Sequence, residues 1–259
     1  MDKLWVVLKY ELSHILRSRW LLWVFLFLFA LSFLIQAQVE DSQKSLLSMS
    51  GILLLFLPLM ALLFSSLFWY QQESFTQIVL SMRFRRWQLL WGRWCALVLS
   101  MGGTSLLAIA LPLIFRHNFQ WQWFVFLIAS LMLIMSMVSV SILIAMNFSD
   151  RLKGVSMSFA FWIYMAFLFD ALLYYFISEF YSYPLEIPLV FLCALNPVTL
   201  VRLFLLMLFD SYALLGMTGL VIKNWVVGVR GMCFVFVTLF LWSFLPMLIA
   251  TYRFEKKDL

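Results

Sequence analysis

Six long runs with almost no charged side chains constrain this chain more than any other feature. A helix needs about 20 apolar residues to cross the hydrocarbon of a bilayer, because its backbone polar groups must all be bonded within the segment. The alternating pattern of membrane barrel strands is absent. We therefore predict an all-α, polytopic membrane protein with six transmembrane helices. The predicted spans cover residues 20–37, 47–69, 94–115, 121–148, 155–177 and 231–252.

Hydrophobic residues make up 65% of the 259 residues, whereas charged residues make up only 12%. These proportions lie outside the range of soluble domains. The chain is therefore interpreted as one transmembrane domain over residues 1–259, with three segments outside the predicted spans. Residues 1–18 have the pattern of a helix lying in the membrane interface, although a simple lead-in to span one remains an alternative. Residues 70–93 form a polar loop, and residues 179–230 form a proline-interrupted, extracytoplasmic segment that dips into the interface.

The distribution of Lys and Arg predicts the orientation of the chain. Thirteen of them lie at the N-terminus, in the loop after span two, in the turn after span four and in the C-terminal tail, and five lie on the other side. Both termini are therefore expected in the cytoplasm of a bacterial inner membrane. The net charge of +6 is then explained by lipid headgroups and orientation, and no nucleic acid is expected as a partner.

The usual catalytic motifs are missing from the sequence. It contains no His-Glu-x-x-His, no Gly-x-Ser-x-Gly and no Gly-x-x-x-x-Gly-Lys pattern, and its two histidines, His14 and His117, lie on opposite sides of the predicted bundle. The three cysteines form no Cys-x-x-Cys pair. We therefore predict a non-catalytic chain with no metal site and no cofactor of its own.

Three other features suggest polar or metal chemistry. Asp170 is the one carboxylate well inside a predicted span, so it should face the bundle interior and have a partner; a structural or gating role is favoured over an ion relay. Arg202 could pair with Asp210 or Glu179, or reach the headgroups. Met132, Met135 and Met137 would suit Cu(I), but they do not share one helical face, so packing is the preferred interpretation.

The loop after span two has two readings. Its arginines could simply mark the cytoplasmic side, with tryptophans as interface anchors. That reading does not explain why some twenty residues are used where four or five would close a hairpin. The alternative is a coupling loop that binds a separate ATPase subunit. The residues predicted to couple to it are Glu73, Thr76, Arg83, Arg85, Arg86 and, from the N-terminal helix, Glu11.

Several motifs resemble the ABC-2 type permeases, and in particular the NosY group, the membrane subunits of complexes that mature nitrous oxide reductase. The similar stretches are Glu11-Leu12-Ser13 with Leu16-Arg17-Ser18-Arg19, then Glu73, Thr76 and Leu80 with Gly92-Arg93, then Asp170, and finally Leu195-Asn196-Pro197 with Arg202. The resemblance extends over nearly the whole chain. It implies an ABC-2 permease fold, resembling type V exporters, with six spans and an interfacial N-terminal helix.

The same resemblance implies the partners. They are a second copy of the chain, two copies of a cytoplasmic NosF-like ABC ATPase that holds ATP and magnesium, a periplasmic NosD-like protein and a NosL-like copper chaperone. The resemblance also implies that Asn196, Pro197 and Arg202 contact the periplasmic partner. In this scheme the chain transmits motion for copper-site maturation and does not need to pass copper itself.

Two alternatives remain open from the sequence. One is an ABC-2 exporter of a lipid-like or drug-like solute. The other is a membrane enzyme or assembly factor that works without an ATPase.

Overall fold

The computed structural model describes residues 3–39, 42–73, 75–76, 79, 85–116, 121–180, 186–208 and 229–256. All regular elements among these residues are helical. They are α1 (Lys3–Leu16), α2 (Arg19–Gln38), α3 (Ser42–Gln71), α4 (Arg86–Arg116), α5 (Trp121–Asn147), α6 (Arg151–Ile163), a π-helical segment (Tyr164–Leu168), α7 (Phe169–Glu179), α8 (Glu186–Ala194), α9 (Pro197–Leu208) and α10 (Val229–Lys256).

Six of these helical stretches are long and apolar enough to cross a membrane. They are α2, α3, α4, α5, the continuous run formed by α6, the π-helical segment and α7, and α10. Each covers one of the six predicted spans to within one residue, so the prediction of an all-α, multi-pass membrane protein is confirmed. We refer to the run from α6 to α7 as span five.

One end of the bundle, here called the basic end, is defined by contacts between helix termini. Arg86 at the start of α4 donates from Nη1 to the carbonyls of Phe254 and Glu255 at the end of α10, at 3.0 Å each. Arg253 of α10 donates to the side chain of Asn147 at the end of α5. The ends of three spans therefore meet here, close to α1.

The loop at the basic end is shorter than predicted. We expected a polar loop over residues 70–93, but α3 continues to Gln71 and α4 already begins at Arg86. The stretch from Arg86 to Arg93 is helical because its polar groups find partners at the end of the bundle, as Arg86 does on α10. A search for uninterrupted apolar runs misses such a helix extension.

The centre of the bundle is the contact between α3 and α5. Small residues at four-residue spacing, Ala61 with Ser65 and Ser141 with Ala145, are all buried there. The Ser141 hydroxyl donates to the Leu62 carbonyl at 2.7 Å. Small side chains let two helix backbones approach closely in a membrane. The four-residue spacing of these small residues is visible in the sequence, and in the structure it accompanies a close contact of α3 with α5.

Residues 186–208 form a hairpin, here called the re-entrant hairpin. Its two helical halves are bent by 120° at Leu195 and Asn196. Trp242, near the middle of α10, donates from Nε1 to the Ala194 carbonyl at 2.9 Å. The turn therefore lies at mid-depth in the bundle. The prediction that this segment only dips into the interface underestimated its depth, because its short apolar helices bury the turn among the spans.

Gly154 gives a test of packing at the basic end. Tyr70 donates its hydroxyl to the carbonyls of Ala145 and Phe148, at 3.1 and 3.0 Å, and so caps the end of α5. A Cβ atom at position 154 would lie 1.8 Å from that hydroxyl oxygen and 2.6 Å from the ring carbon that bears it. We expect Gly154→Ala to destabilise the protein by about 1–3 kcal/mol, the usual cost of overpacking.

Gly103→Ala is the matched control, because a Cβ at position 103 meets no atom within 4 Å. It should be neutral or stabilising, since alanine favours the helical state over glycine. The measurement is the midpoint of thermal unfolding of both variants in the same detergent. Equal midpoints would show that Tyr70 does not occupy the space beside Gly154.

Candidate functional site

At the basic end, a buried ion pair ties α1 to α4. Arg93 donates from Nε and Nη2 to Oε1 of Glu11, at 3.1 and 3.0 Å. Both residues are 0% exposed. Glu11 lies on the face of α1 that also buries Leu8 and Ile15, so the helix places its carboxylate inside the protein.

Thr76 joins this ion pair to the loop after α3. Arg93 donates from Nη2 to the Thr76 hydroxyl at 2.9 Å, and that hydroxyl donates to the Gln72 carbonyl at 2.7 Å. Thr76 is buried as well. One guanidinium group therefore connects α1, the loop and α4.

Further contacts hold the same three parts together. The amide nitrogen of the Gln72 side chain lies 3.0 Å from Nδ1 of His14 on α1. The rings of Tyr10 and Phe75 stack with their centroids 4.6 Å apart. Arg93 also lies over the ring of Trp69, at 5.1 Å from its centroid. We call the set Glu11, His14, Gln72, Thr76 and Arg93 the basic-end joint.

The ion pair in this joint is incomplete. Oε2 of Glu11 and Nη1 of Arg93 are buried and have no hydrogen-bond partner among the residues that the structure describes. The two donated bonds converge on one carboxylate oxygen, so the pair lacks the parallel fork that gives Arg–carboxylate pairs their highest strength. Breaking such a pair is still costly, because it leaves a buried charge without compensation.

The predicted coupling residues lie in different surroundings. Glu73 and Arg85 are exposed, whereas Glu11 and Thr76 are inside the joint and have almost no surface for another subunit. Arg86 binds the end of α10. Arg83 lies outside the described residues. The structure thus divides the predicted set into exposed residues that can contact a partner and buried residues that position them.

A second polar cluster lies between span five and the re-entrant hairpin. Arg202 of α9 pairs with Asp170 of α7, at 2.6 Å between Nη2 and Oδ2, and the two side chains are 36% and 28% exposed. Thr199 donates its hydroxyl to Oδ1 of Asp170 at 2.9 Å. The prediction that Asp170 has a polar partner is confirmed.

The partner of Arg202 is not the one predicted among the described residues. Glu179 is not its partner, and Asp210 lies outside the described residues; Arg202 binds Asp170 instead. The reason is the depth of the re-entrant hairpin. Because its turn reaches mid-depth, α9 runs beside α7 and brings Arg202 to the carboxylate inside the span.

Asn196 forms the turn of the hairpin and is completely buried. Its Oδ1 accepts from the backbone amides of Val198 and Thr199, at 2.9 and 3.3 Å, so it caps α9. Pro197 occupies the first helical position, where its missing N–H is not needed. Asn196 and Pro197 therefore have no exposed surface for the outer partner implied by the resemblance, whereas Arg202 is partly exposed.

Among the residues that the structure describes, no three His, Cys, Asp or Glu side chains lie close enough to hold a metal ion. Met137 is buried, and Met132 and Met135 pack against the same apolar core. Their surroundings are those of ordinary helix packing.

Sequence reasoning missed the role of Arg93. It was counted as one more basic residue of the loop, and Glu11 was assigned to partner contact. The available signal was the position of Glu11 on the apolar face of α1, three residues after Leu8 and four before Ile15. A carboxylate on a face that packs inward needs a cation, and Arg93 lies among the tryptophans that begin span three.

The comparisons with known proteins do not add a family to these observations. No protein-family model and no curated protein sequence matches this chain.

Proposed function

We propose that this chain is the non-catalytic membrane subunit of an ABC-2 type transporter. A separate cytoplasmic ATPase, which holds ATP and magnesium, would bind its basic end, and ATP-driven motion would pass through the spans to the opposite face. In this proposal the basic end faces the cytoplasm of a bacterial inner membrane, and the working unit contains two copies of the chain.

The observation that carries the proposal is the basic-end joint. A loop that transmits force must be fixed to the elements that it moves. Here Arg93 fixes the loop, through Thr76, to α1 and to the first turns of α4. The exposed side chains of Glu73 and Arg85 lie beside these buried contacts. Load applied at the exposed residues would therefore reach a helix of 31 residues that crosses the bundle.

The orientation in this proposal follows from charge. The basic end carries exposed cations on several segments: Lys9, Arg17, Arg85, Arg151, Lys153 and Arg253. Such side chains are concentrated on the cytoplasmic side of bacterial membrane proteins. A soluble ATPase would reach this end of the bundle.

The experiment is purification of the tagged chain from native membranes in mild detergent, with identification of its partners by mass spectrometry. We expect an ABC ATPase in fixed ratio to the chain. The variant Glu73→Ala with Arg85→Ala should retain about tenfold less ATPase, because bonds to charged groups are worth about 1.5–3 kcal/mol. Arg86 is left intact, since it binds α10 within the chain.

The control is Lys44→Ala, which removes an exposed cation at the other end of α3. It should leave the recovered ATPase unchanged. A wild-type chain that is active and well folded but never carries an ABC ATPase would refute the proposal. Equal retention by the double variant and the control would place the docking surface elsewhere.

The narrower proposal is a role of the NosY kind, in copper-site maturation of nitrous oxide reductase with a periplasmic NosD-like partner. It rests on the resemblance of Asp170 and of Leu195-Asn196-Pro197. Deletion of the gene should then leave the reductase without its copper centre, as read by its visible absorption. A filled copper centre in the deletion strain, with altered export of a lipid-like or drug-like solute, would favour the exporter alternative.

A further inference from the structure

The π-helical segment of span five has a specific partner in the re-entrant hairpin. In an α-helix, the backbone amide of Phe169 would bond to the Met165 carbonyl, four residues before it. Here that amide bonds to the Tyr164 carbonyl instead. The side-chain nitrogen of Asn196 donates to the Met165 carbonyl at 2.6 Å. The hairpin therefore supplies a donor to the Met165 carbonyl in place of the Phe169 amide.

The bond from Asn196 satisfies a backbone carbonyl that is buried in the middle of a span. Met165 is in the middle of span five and is buried, so water is not at hand to satisfy its carbonyl. An unsatisfied backbone group at that depth is costly. If Asn196 withdraws, the carbonyl can regain its α-helical donor from Phe169, which converts the π-helical segment to an α-helix.

Conversion would rotate one half of span five against the other. A π-turn holds one residue more than an α-turn, so closing it rotates the following residues by about 100°. The first half is fixed, because Trp162 donates from Nε1 to the Leu55 carbonyl at 3.0 Å and Gly154 packs on Tyr70. The half that turns is α7.

The rotation would also break the ion pair at the hairpin. Each residue of α7 would take the direction that its following neighbour has now. Asp170 would then point as Ala171 does, which is exposed, and would leave Arg202 and Thr199. Both polar contacts of Asp170 and the Asn196 bond therefore favour the same state.

We propose that Asn196 is a positioning residue that holds span five in its π-helical register, so that insertion of the re-entrant hairpin and rotation of α7 are one two-state equilibrium. A load that lifts the hairpin turns α7, and a load that turns α7 expels the hairpin. The inference concerns the chain alone and does not require an ATPase.

The test uses spin labels at two neighbouring positions of α7. Leu172 is 55% exposed and Leu173 is 8% exposed. Each is replaced by cysteine and labelled in turn, in a full-length chain whose three native cysteines are changed to alanine. The chain is reconstituted in phosphatidylethanolamine–phosphatidylglycerol vesicles, and the oxygen accessibility of each nitroxide is measured. A label at Ile177 repeats the measurement one turn further on.

The variant is Asn196→Ser, which keeps an oxygen to cap α9 but is too short to reach the Met165 carbonyl. We expect the accessibility ranking to invert, with the label at 173 becoming exposed and the label at 172 becoming buried. Asn196→Thr serves the same purpose if the serine variant does not fold. An unchanged ranking in the folded variant would overturn the proposal.

Deletion of Ala166 provides the matched control. Removing one residue from the π-helical segment converts it to an α-turn without rotating α7, so no carbonyl depends on Asn196. In that background Asn196→Ser should leave the ranking as it is in the wild type. An inversion there would mean that Asn196 acts through general packing of the hairpin, and the proposal would fail.

Discussion

Replacing Glu11 by leucine is expected to destabilise the protein by about 3–5 kcal/mol, the usual cost of removing one partner from a buried ion pair. Arg93 would remain in a site that is 0% exposed, with its charge no longer compensated. Arg93→Leu should have a similar effect, because it leaves the Glu11 carboxylate buried and also removes the donor to Thr76.

The double variant Glu11→Leu with Arg93→Leu should recover much of this loss. Two apolar side chains in place of a buried pair are often neutral or stabilising. Within the described part of the chain, this pair also leaves one atom of each partner unsatisfied. The measurement is reversible unfolding in mixed detergent micelles for all four members of the cycle. Arg85→Ala, which removes an exposed charge, is the control and should stay within about 0.5 kcal/mol.

This double-mutant cycle separates the effect of the ion pair on stability from its effect on coupling to a partner. If the double variant is as stable as the wild type but the proposed ATPase partner, once bound, no longer responds, Arg93 is needed to link the loop to α1 and α4. Purely additive single losses would show that Glu11 and Arg93 do not act as a pair.

The second large effect is expected at Asp170. Asp170→Leu leaves Arg202 without its partner inside the span, at a cost of about 2.5–3.5 kcal/mol, the insertion cost of an isolated charge near the bilayer centre. Asp170→Asn keeps one acceptor oxygen for Arg202 and loses the second oxygen, which accepts from Thr199, so we expect it to assemble. The measurement is the amount of monodisperse protein after extraction and mild heating.

Glu179→Leu is the control for that pair of variants. It removes a carboxylate from the exposed end of α7, outside the contact with α9. Its yield should match that of the wild type. If Asp170→Leu gives the same yield as Asp170→Asn, the Asp170–Arg202 pair does not stabilise the hairpin.

The spans could be predicted because the signal for each one lies in its own consecutive residues. About twenty apolar residues in a row have one stable arrangement in lipid, whatever surrounds them. The helical spacing of small residues such as Ala61 and Ser65 is visible in the sequence, but it does not show which two helices they bring together. The start of α4 at Arg86 could not be predicted, because the carbonyls that bind the Arg86 side chain lie at the far end of the sequence, on α10.

The two ion pairs depended on distances that a sequence does not contain. Glu11 and Arg93 are 82 positions apart in the sequence. The guanidinium group of Arg93 also binds Thr76, which lies in the loop between α3 and α4. Arg202 reaches Asp170 only because the hairpin turns at mid-depth. No sequence pattern marks the π-helical segment. Its Met165 carbonyl accepts a hydrogen bond from Asn196, a residue 31 positions later in the chain.

The direction of α9 has an electrostatic consequence. Its N-terminus lies at mid-depth, and the backbone dipoles of a helix place a partial positive charge at that end. Similar half-helices in channels repel protons and metal cations from the membrane centre. Here, unlike in such channels, the C-terminus of α8 brings a partial negative charge to the same turn. The two helix ends offset each other, which lowers the cost of placing the turn at mid-depth.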